Sequence, residues 1–349
     1  MALDIGLMFS FRNPAFNRVP WDDFYEAELD LCVYAEEMGL DHVWLSEHHF
    51  VDDGYAPSLM AIAAAVAVRT TKIRIGTYVL LLPLHNPVRV AEDVASVDVM
   101  SRGRFDLGMG LGYRPGEFSG FGISSTERGA RMAEGAPLIK ELLSGGEVDH
   151  EGKYFTAKDV RLVPPAIQEP HPPIWIGARG DQALDRAARH GFHLATVGAP
   201  EHRTNYIEAL KRHGRDPKDF NIGQLVCAFV APDNQTAWDR CADGISHMLQ
   251  CYLDWTLESG DQTGEGTWDM ENKAPSGDQL RQVRQADFFG QPAHIGDPDE
   301  VYESLKSYLE QSPCTHLVVM MDLPGNNPAY ARESVKLFAE EVMPRLRKL

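Results

Sequence analysis

The sequence predicts an α/β protein in which eight parallel strands alternate with helices and close into a barrel. Short apolar runs alternate with longer amphipathic stretches along the chain, which is the pattern of strand–helix–strand units in a parallel sheet. Eight such alternations favour a closed barrel over an open, doubly wound sheet. A chain of 349 residues, 44% of them hydrophobic and 24% charged, can form one large domain or two smaller ones.

The predicted strands are the eight short apolar runs. In chain order they are residues 5–9, 42–45, 73–77, 105–109, 174–176, 193–197, 222–230 and 316–321. The predicted helices are residues 21–38, 58–68, 88–101, 126–143, 181–190, 201–213, 299–311 and 328–347. Gly39 follows the first helix as its breaker, and Ser58 is the predicted N-terminal cap of the second.

Two segments interrupt the alternation. Residues 148–163 are predicted to form a small hairpin, and the proline-rich residues 164–173 are predicted to be extended because proline disfavours helix. Residues 259–292 are polar and rich in Gly, Asp and Gln, and they are too long for an ordinary connection. We expect a mobile insert or lid here, before the eighth strand.

Charge and composition exclude several classes of function. The formal net charge of -18 repels nucleic-acid backbones and anionic membrane surfaces, so no partner of either kind is predicted. No apolar run is long enough to span a bilayer and no leader pattern opens the chain, which predicts a cytoplasmic protein. The five cysteines are scattered without a C-x-x-C spacing, and they are expected to be buried apolar residues. Neither a dinucleotide-binding glycine fingerprint nor a P-loop is present.

Glu47, His48 and His49 are the predicted catalytic residues. They directly follow the second predicted strand, and the carboxyl ends of barrel strands are where active sites are built. An ordinary loop pair of histidines remains an alternative for this position. No metal site is predicted, because adjacent residues at a strand end point in different directions and cannot easily face one ion.

The ends of three further strands are predicted to complete the same rim. Thr77 and Tyr78 follow the third strand, and Met109 and Gly110 lie in the glycine-bearing end of the fourth. Glycine there would let backbone amides approach a flat or anionic ligand closely.

The fifth predicted strand ends in Ala178, Arg179 and Gly180, which lead directly into a helix. Free N–H groups and an arginine make this a candidate phosphate seat, with a plain strand–helix turn as the alternative. The rim has no nucleophile elbow and no cysteine, so we expect a bound cofactor to supply the difficult chemistry.

A series of motifs extends over nearly the whole chain, at residues 44–50, 76–77 with 82–83, 85–89, 91–93, 100–105 and 338–344. With these motifs, in this order, the chain resembles the luciferase-like flavin-dependent monooxygenases, and most of all the catalytic subunits of the bacterial luciferase type.

This resemblance implies a single TIM-barrel domain over residues 1–349 that uses diffusible reduced FMN delivered by a separate flavin reductase. Oxygen would add to the flavin as a C4a-(hydro)peroxyflavin, which oxygenates a small apolar substrate such as an aldehyde or ketone. His48 matches the histidine that handles protons beside the flavin ring, and Glu47 and His49 match its neighbours. A homodimer is implied as well.

The resemblance also implies the residues that bind the flavin. They are Thr77, Tyr78, Met109, Gly110, Ala178, Arg179 and Gly180. The family often has a non-prolyl cis peptide bond in the stretch that matches residues 77–79.

Departures from the family pattern limit what the resemblance implies. Gly110 and Leu111 stand where light-emitting relatives have a reactive cysteine and a phosphate-binding arginine, and Arg179-Gly180 replaces a Glu-Ser pair. We therefore expect the phosphate-binding charge to have moved between loops, and bioluminescence is not predicted.

Two other functions remain open, a deazaflavin-dependent dehydrogenase on the same barrel and a non-catalytic flavin-binding subunit. Trp268, Phe288 and Phe289 of the insert could shield the flavin from water, and an exposed linker is the alternative for that segment.

Overall fold

The computed structural model describes residues 3–198, 200–260 and 273–349. Its strands are β1 (Asp4–Phe9), β2 (His42–Leu45), β3 (Arg74–Thr77), β4 (Leu80–Leu81), β5 (Phe105–Gly110), β6 (Val148–Glu151), β7 (Thr156–Val160), β8 (Ile174–Gly177), β9 (His193–Val197), β10 (Ile222–Val230), β11 (His294–Gly296) and β12 (His316–Met320).

The helices lie between these strands and after the last of them. They are α1 (Trp21–Glu37), α2 (Leu59–Arg69), α3 (Pro87–Ser101), α4 (Pro115–Gly120), α5 (Arg128–Leu143), α6 (Asp181–His190), α7 (Glu201–Arg212), α8 (Asn234–Ser259), α9 (Gly277–Val283), α10 (Pro298–Gln311), α11 (Pro328–Leu337) and α12 (Met343–Leu346). One turn of π-helix, Phe338–Val342, joins the last two. Among the described residues, no helix is both long and apolar enough to cross a membrane.

Eight of the strands form a closed parallel barrel. Their order around it is β1, β2, β3, β5, β8, β9, β10 and β12, and β12 pairs with β1 to close the ring, with Asp4 opposite His316. The short strands β4 and β11 extend this sheet beside β5 and β10, whereas β6 and β7 form the separate hairpin. The predicted barrel and hairpin are therefore confirmed.

Alternation along the strands divides the core into an outer and an inner layer. Leu7 and Val43 pack in the layer shared with the helices, whereas Trp44 belongs to the cluster inside the barrel, as expected when successive side chains point to opposite faces. Inside, the Trp44 ring lies 5.4 Å from Trp175, centroid to centroid. A Cβ on Gly76 would lie 2.2 Å from the Trp44 ring, so glycine here makes room for tryptophan.

Two predicted features of the helices are wrong. Ser58 precedes α2, but its side chain makes no capping hydrogen bond. The 26-residue helix α8 lies where no helix was predicted, and its face bearing Trp238, Ile245 and Leu249 packs on the inner cluster.

The described part of the insert, residues 259–260 and 273–292, contains regular structure. It contains α9, and Leu280 and Phe288 are buried. Trp268, which was expected to shield the flavin, lies outside the described residues.

Candidate functional site

A cavity of about 1000 Å³ opens at the carboxyl ends of the barrel strands. Residues that follow several different strands form its wall, as is typical of barrel enzymes. Of the predicted site residues, those on the wall are Glu47, His48, Tyr78, Gly110, Ala178, Arg179 and Gly180. His49, Thr77 and Met109 do not line it.

His48 is held on this wall by Glu117, which belongs to the short helix α4. The His48 Nδ1 atom lies 2.8 Å from Glu117 Oε1, and the same oxygen accepts the backbone N–H of His49 at 2.9 Å. The His48 backbone N–H donates to the carbonyl of Tyr55 at 3.0 Å. Because both side chains are buried, this pair fixes the position and the orientation of the imidazole.

Burial and charge determine the protonation of this pair. Burial lowers the pKa of His48, and the cations Arg114 and Arg12 lower it further, whereas Glu117 opposes the shift without reversing it. Burial raises the pKa of Glu117, but His48 and its other partners outweigh this and leave it below the ordinary value. At neutral pH a neutral imidazole therefore faces a carboxylate. Nδ1 must carry the proton that the carboxylate accepts, and Nε2 keeps a lone pair.

Aromatic rings surround the His48 imidazole. Its ring centroid lies 4.5 Å from Trp255, 4.7 Å from Tyr55, 5.8 Å from Tyr113 and 6.3 Å from Tyr252. The hydroxyls of Tyr55 and Tyr252 are 2.7 Å apart and form a hydrogen bond. These rings keep water away from His48 on the sides that they cover.

Glu47 and His49 form a separate group with His85. Glu47 Oε1 accepts the backbone N–H of Leu81 at 2.7 Å and lies 3.4 Å from His85 Nε2 and 3.6 Å from His49 Nε2. Burial raises the pKa of Glu47, but the two histidines outweigh it and bring the pKa to about 2.

His48 and His49 do point in different directions, as the sequence argument requires. The ligand atoms of Glu47, His49 and His85 nevertheless lie within 4.8 Å of one another, so this group has the donor set for a metal ion, which the sequence did not predict. His49 itself lies behind the cavity wall, with its ring 4.8 Å from Phe121.

Tyr78 and Thr77 lie at the end of β3 in different environments. The Tyr78 hydroxyl accepts the Thr196 N–H at 2.6 Å and donates to the Thr196 carbonyl at 2.7 Å. The Tyr78–Val79 peptide bond is cis, which agrees with the resemblance. Thr77 Oγ1 is occupied by the backbone of Gly108, at 2.7 and 2.8 Å, so its side chain lies beneath the cavity.

The glycines of β5 are required for packing. A Cβ on Gly108 would lie 1.9 Å from the Thr77 carbonyl oxygen, and one on Gly110 would lie 2.2 Å from the Val79 side chain. Because these two glycines have no Cβ, residues 77–79 can pack closely against β5. Met109, between them, points outward into the layer under the helices, because side chains alternate along a strand.

Positive charge is concentrated where β8 leads into α6. Arg179 lines the cavity together with Arg128 and Arg186, two residues that the sequence did not single out. Gly180 is the N-cap of α6 and has no side chain to occupy the first amides of the helix. A helix N-terminus beside Arg179, with two further arginines on the wall of the same cavity, can hold a phosphate or another anion. In addition, Thr196 lines the cavity and its buried Oγ1 has no hydrogen-bond partner.

Glu117, Tyr252 and Trp255 are the main site residues that sequence reasoning missed. Glu117 follows β5 by seven residues, and a search for charged residues beyond each strand end would have included it. Tyr252 and Trp255 lie three residues apart on one face of α8, and their signal depended on recognising that helix.

Comparison with known proteins identifies the family. A family model described as luciferase-like monooxygenase matches residues 3–316. The alkanal monooxygenase alpha chain of Photorhabdus luminescens is 25% identical over 328 residues, which cover 90% of this chain and 89% of that protein. The F420-dependent glucose-6-phosphate dehydrogenase of Microbacterium testaceum is 30% identical over 335 residues, covering 92% and 93%.

A third relative is matched over part of its length. The uncharacterized protein y4vJ of Sinorhizobium fredii is 29% identical over 212 residues, and the match spans 59% of this chain and 60% of that protein.

Two solved structures share the fold. Monooxygenase RslO1 from Streptomyces bottropensis superposes with a TM-score of 0.83 at 24% identity, covering 98% of this chain and 99% of that one. The oxygenating constituent of 3,6-diketocamphane monooxygenase from Pseudomonas putida, solved in complex with FMN, gives 0.80 at 20% identity, covering 99% and 98%. At these identities the likeness concerns the fold alone. By its match to the family model over most of its length, the chain belongs to the luciferase-like monooxygenase family of oxidoreductases.

Proposed function

We propose that this protein is an FMN-dependent monooxygenase that takes reduced FMN from a separate flavin reductase and uses O2 to oxygenate a small apolar organic substrate. The observation that carries the proposal is that one cavity is lined both by a neutral, carboxylate-held His48 and by three arginines, one of which directly precedes a helix N-terminus. The homodimer rests on the resemblance alone, and the cytoplasmic location rests on the sequence pattern alone. Both belong to the same proposal.

The cavity has the features that a flavin phosphate ester needs. Arg128, Arg179, Arg186 and the first amides of α6 would hold the phosphate. The β8 end that precedes α6 lies three strands around the barrel from β2, and the wall between includes apolar side chains such as Val79. A volume of about 1000 Å³ is at the upper end for ligand pockets, which leaves room for a substrate beside the cofactor.

The chain's own residues would position the reactants, exclude water and handle the proton. When bound, reduced FMN supplies the electrons that activate O2. His48 accepts a proton at Nε2 and returns it there, because Glu117 holds Nδ1–H and stabilises the charged imidazole that forms. Tyr252 and Phe289, whose rings are 4.8 Å apart, line the cavity and limit the access of water.

A deazaflavin-dependent dehydrogenase is the second candidate. The observation that favours it is the relative named for F420, which is 30% identical over 92% of this chain. A buried base such as His48 suits hydride transfer from an alcohol as well as oxygenation. A non-catalytic subunit is disfavoured, because the His48–Glu117 pair is retained with the geometry of a working base.

A single flavin experiment separates these functions. Reduced FMN is mixed with the protein without oxygen, air is admitted, and the return of oxidised-flavin absorbance is followed with and without candidate aldehydes and ketones. The proposal expects a slower return than in free solution, and an oxygenated product when a substrate is present. Return at the free-solution rate, together with reduction of F420 by a secondary alcohol, would establish the dehydrogenase instead.

A further inference from the structure

A second cavity, of about 470 Å³, lies outside the flavin cavity and contains a cluster of reactive side chains. Its wall includes Asp53, His247 and Cys251, together with Arg114 and Trp255. The sequence predicted that all five cysteines are buried, but Cys251 and Cys314 are only half-buried. Nothing in the proposed oxygenation uses this cluster.

In this cluster one imidazole nitrogen contacts both the thiol and the carboxylate, and the carboxylate also binds a guanidinium group. Cys251 Sγ lies 3.5 Å from His247 Nε2, and that nitrogen lies 2.8 Å from Asp53 Oδ2. The same carboxylate oxygen accepts Arg12 Nε at 2.7 Å. His247 and Cys251 are four residues apart on α8 and therefore share one face of the helix.

The charges around the cluster disfavour a metal ion. Burial lowers the pKa of His247, but hydrogen bonds with Asp53 and Cys251 outweigh this and raise the pKa to about 9. At neutral pH the thiol therefore faces a positively charged imidazolium. That imidazolium would repel a divalent cation, and Arg12 already donates to Asp53 Oδ2.

We propose that Cys251 is a covalent modification site for small conjugated carbonyl compounds, the α,β-unsaturated aldehydes and ketones. The thiolate sulfur forms a bond to the β-carbon, the carbon–carbon π bond breaks, and its electron pair passes to the α-carbon. His247 gives its proton to that carbon. The product is a neutral thioether in which the carbonyl group is retained.

The cavity suits this class of molecule by its size and by its lining. Phe16, Phe50 and Val51 form an apolar wall that would accommodate a carbon chain. Arg114, which is 8% exposed where it lines the cavity, leaves its buried Nε without a hydrogen-bond partner. That group can donate to the carbonyl oxygen, which becomes more negative as the sulfur adds.

An adduct at Cys251 would lie close to the proposed catalytic base. Trp255 lines the second cavity, and its ring is 4.5 Å from the His48 ring. The Arg114 guanidinium lies 4.7 Å from the centre of the same tryptophan ring. One side chain thus separates the modified sulfur from His48.

The first test measures where and how fast the protein is alkylated. The full chain is treated with methyl vinyl ketone in the presence of N-acetylcysteine, and adducts are quantified on each cysteine by peptide mass spectrometry. We expect Cys251 to react about tenfold faster than N-acetylcysteine near neutral pH, since the adjacent imidazolium can give its proton to the α-carbon as the sulfur adds. Cys227 serves as the control, because it is buried and burial raises its pKa to about 12. Reaction of Cys251 no faster than the free thiol would overturn the proposal.

The second test isolates the role of His247. The charged groups around the Cys251–His247 pair are Asp52, Asp53, Arg12 and Arg114, and they are unchanged in His247→Gln. This variant should be alkylated at Cys251 more slowly than the parent near neutral pH. The difference should disappear above about pH 9, where His247 of the parent has lost its proton. The circular dichroism of the variant should match that of the parent. Identical pH profiles would remove the imidazolium from the proposal. A gain in the parent's rate on adding a chelator would show a bound metal and contradict the assignment.

Discussion

The carboxylate that orients His48 is provided by a distant part of the chain. His48 and Glu117 are 69 residues apart in sequence, yet their side chains meet at 2.8 Å in a buried site. Burial strengthens this hydrogen bond, because a hydrogen bond to a charged group contributes more free energy where water cannot compete. The neutral state of the imidazole follows from its desolvation, and its tautomer follows from the carboxylate.

The first prediction separates the base from the residue that positions it. His48→Ala should lower the rate of product formation by about 10²–10⁴-fold, the usual contribution of a general base, and should leave the dissociation constant for FMN nearly unchanged. Glu117→Gln should lower the rate less and move the acid limb of the pH–rate profile to lower pH, because the carboxylate raises the pKa of His48.

The control for this pair is His150→Gln, which changes a half-exposed histidine of the β6–β7 hairpin and should alter neither rate nor affinity. Equal losses of FMN binding and of turnover in His48→Ala would instead make His48 a structural residue.

Sequence reasoning located His48 but could not locate its partner, for a physical reason. A polar residue after an apolar strand has a local signal, since barrel strands place their carboxyl ends on one rim. The contact with Glu117 is tertiary and has no period or spacing in the sequence. Met109 illustrates the opposite error. It was assigned to the cavity by its place in the chain, although alternation along β5 turns it outward.

At the scale of single elements, α6 and β8 form the part of the site that is proposed to bind an anion. The helix begins at Asp181 directly after Gly180, and Arg179 lies on the cavity wall at the same junction. The dipole and the free amides of a helix N-terminus favour an anion there, and a guanidinium adds a directed charge. Together they would let this element recognise a phosphate without a glycine-rich nucleotide fingerprint.

The second prediction tests this element. Arg179→Ala should weaken FMN binding by about 1.5–3 kcal/mol, the value of a hydrogen bond to a charged group, and should scarcely change the affinity for riboflavin, which lacks the phosphate. Arg189→Ala is the matched control, because Arg189 lies on the same helix but is exposed and away from the cavity. Isothermal titration calorimetry of both variants with FMN and with riboflavin measures the four affinities. An equal loss of affinity for the two flavins in Arg179→Ala would contradict the assignment.

The third prediction concerns the glycines of β5. Gly108→Ala should lower the free energy of unfolding by about 3 kcal/mol, the upper end for overpacking, because the added Cβ would meet a backbone carbonyl that cannot move aside. Gly180→Ala should change it by less than about 0.5 kcal/mol, since no atom lies within 4 Å of its added Cβ and its φ is -80°. Urea unfolding of both variants makes the comparison. A stable Gly108→Ala would show that β3 and β5 can separate.

The barrel strands were predictable because they are short, buried apolar runs with a clear end. Helix α8 was not predicted, because its 26 residues mix buried aromatic side chains with many polar ones and precede a segment of loop-like composition. The same composition hid α9, although a capping box at Ser276 and Gln279 marks its start. That Ser-x-x-Gln pattern was a readable signal in the sequence.

For the whole molecule, the net charge is negative, whereas the proposed phosphate site carries positive charge. A net charge of -18 creates a field that repels phosphate-bearing ligands. The three arginines that line the cavity place positive charge at the proposed phosphate site and would oppose that field there. The proposed preference for an anionic cofactor therefore depends on this cluster and not on the average charge of the surface.

The fourth prediction concerns the stability of the whole fold in acid. His294 is fully buried in β11, and its Nδ1 atom is 2.7 Å from the Ser304 hydroxyl. Burial lowers the pKa of His294 to about 4, below its unfolded value of about 6.5. The neutral form is thus favoured by folding. The resulting stability is present above the unfolded pKa and is lost as the pH falls toward 4.

The linkage between protonation and folding gives the size of this loss. Between pH 7 and about pH 4.5, His294 should account for a decrease of about 2–3 kcal/mol in the free energy of unfolding. In His294→Gln the parent's other titrating groups remain, so its stability should fall by that much less over the same interval, even if the variant is less stable at pH 7. Urea unfolding at the two pH values measures both differences. Equal losses in parent and variant would show that His294 is not held neutral by the fold.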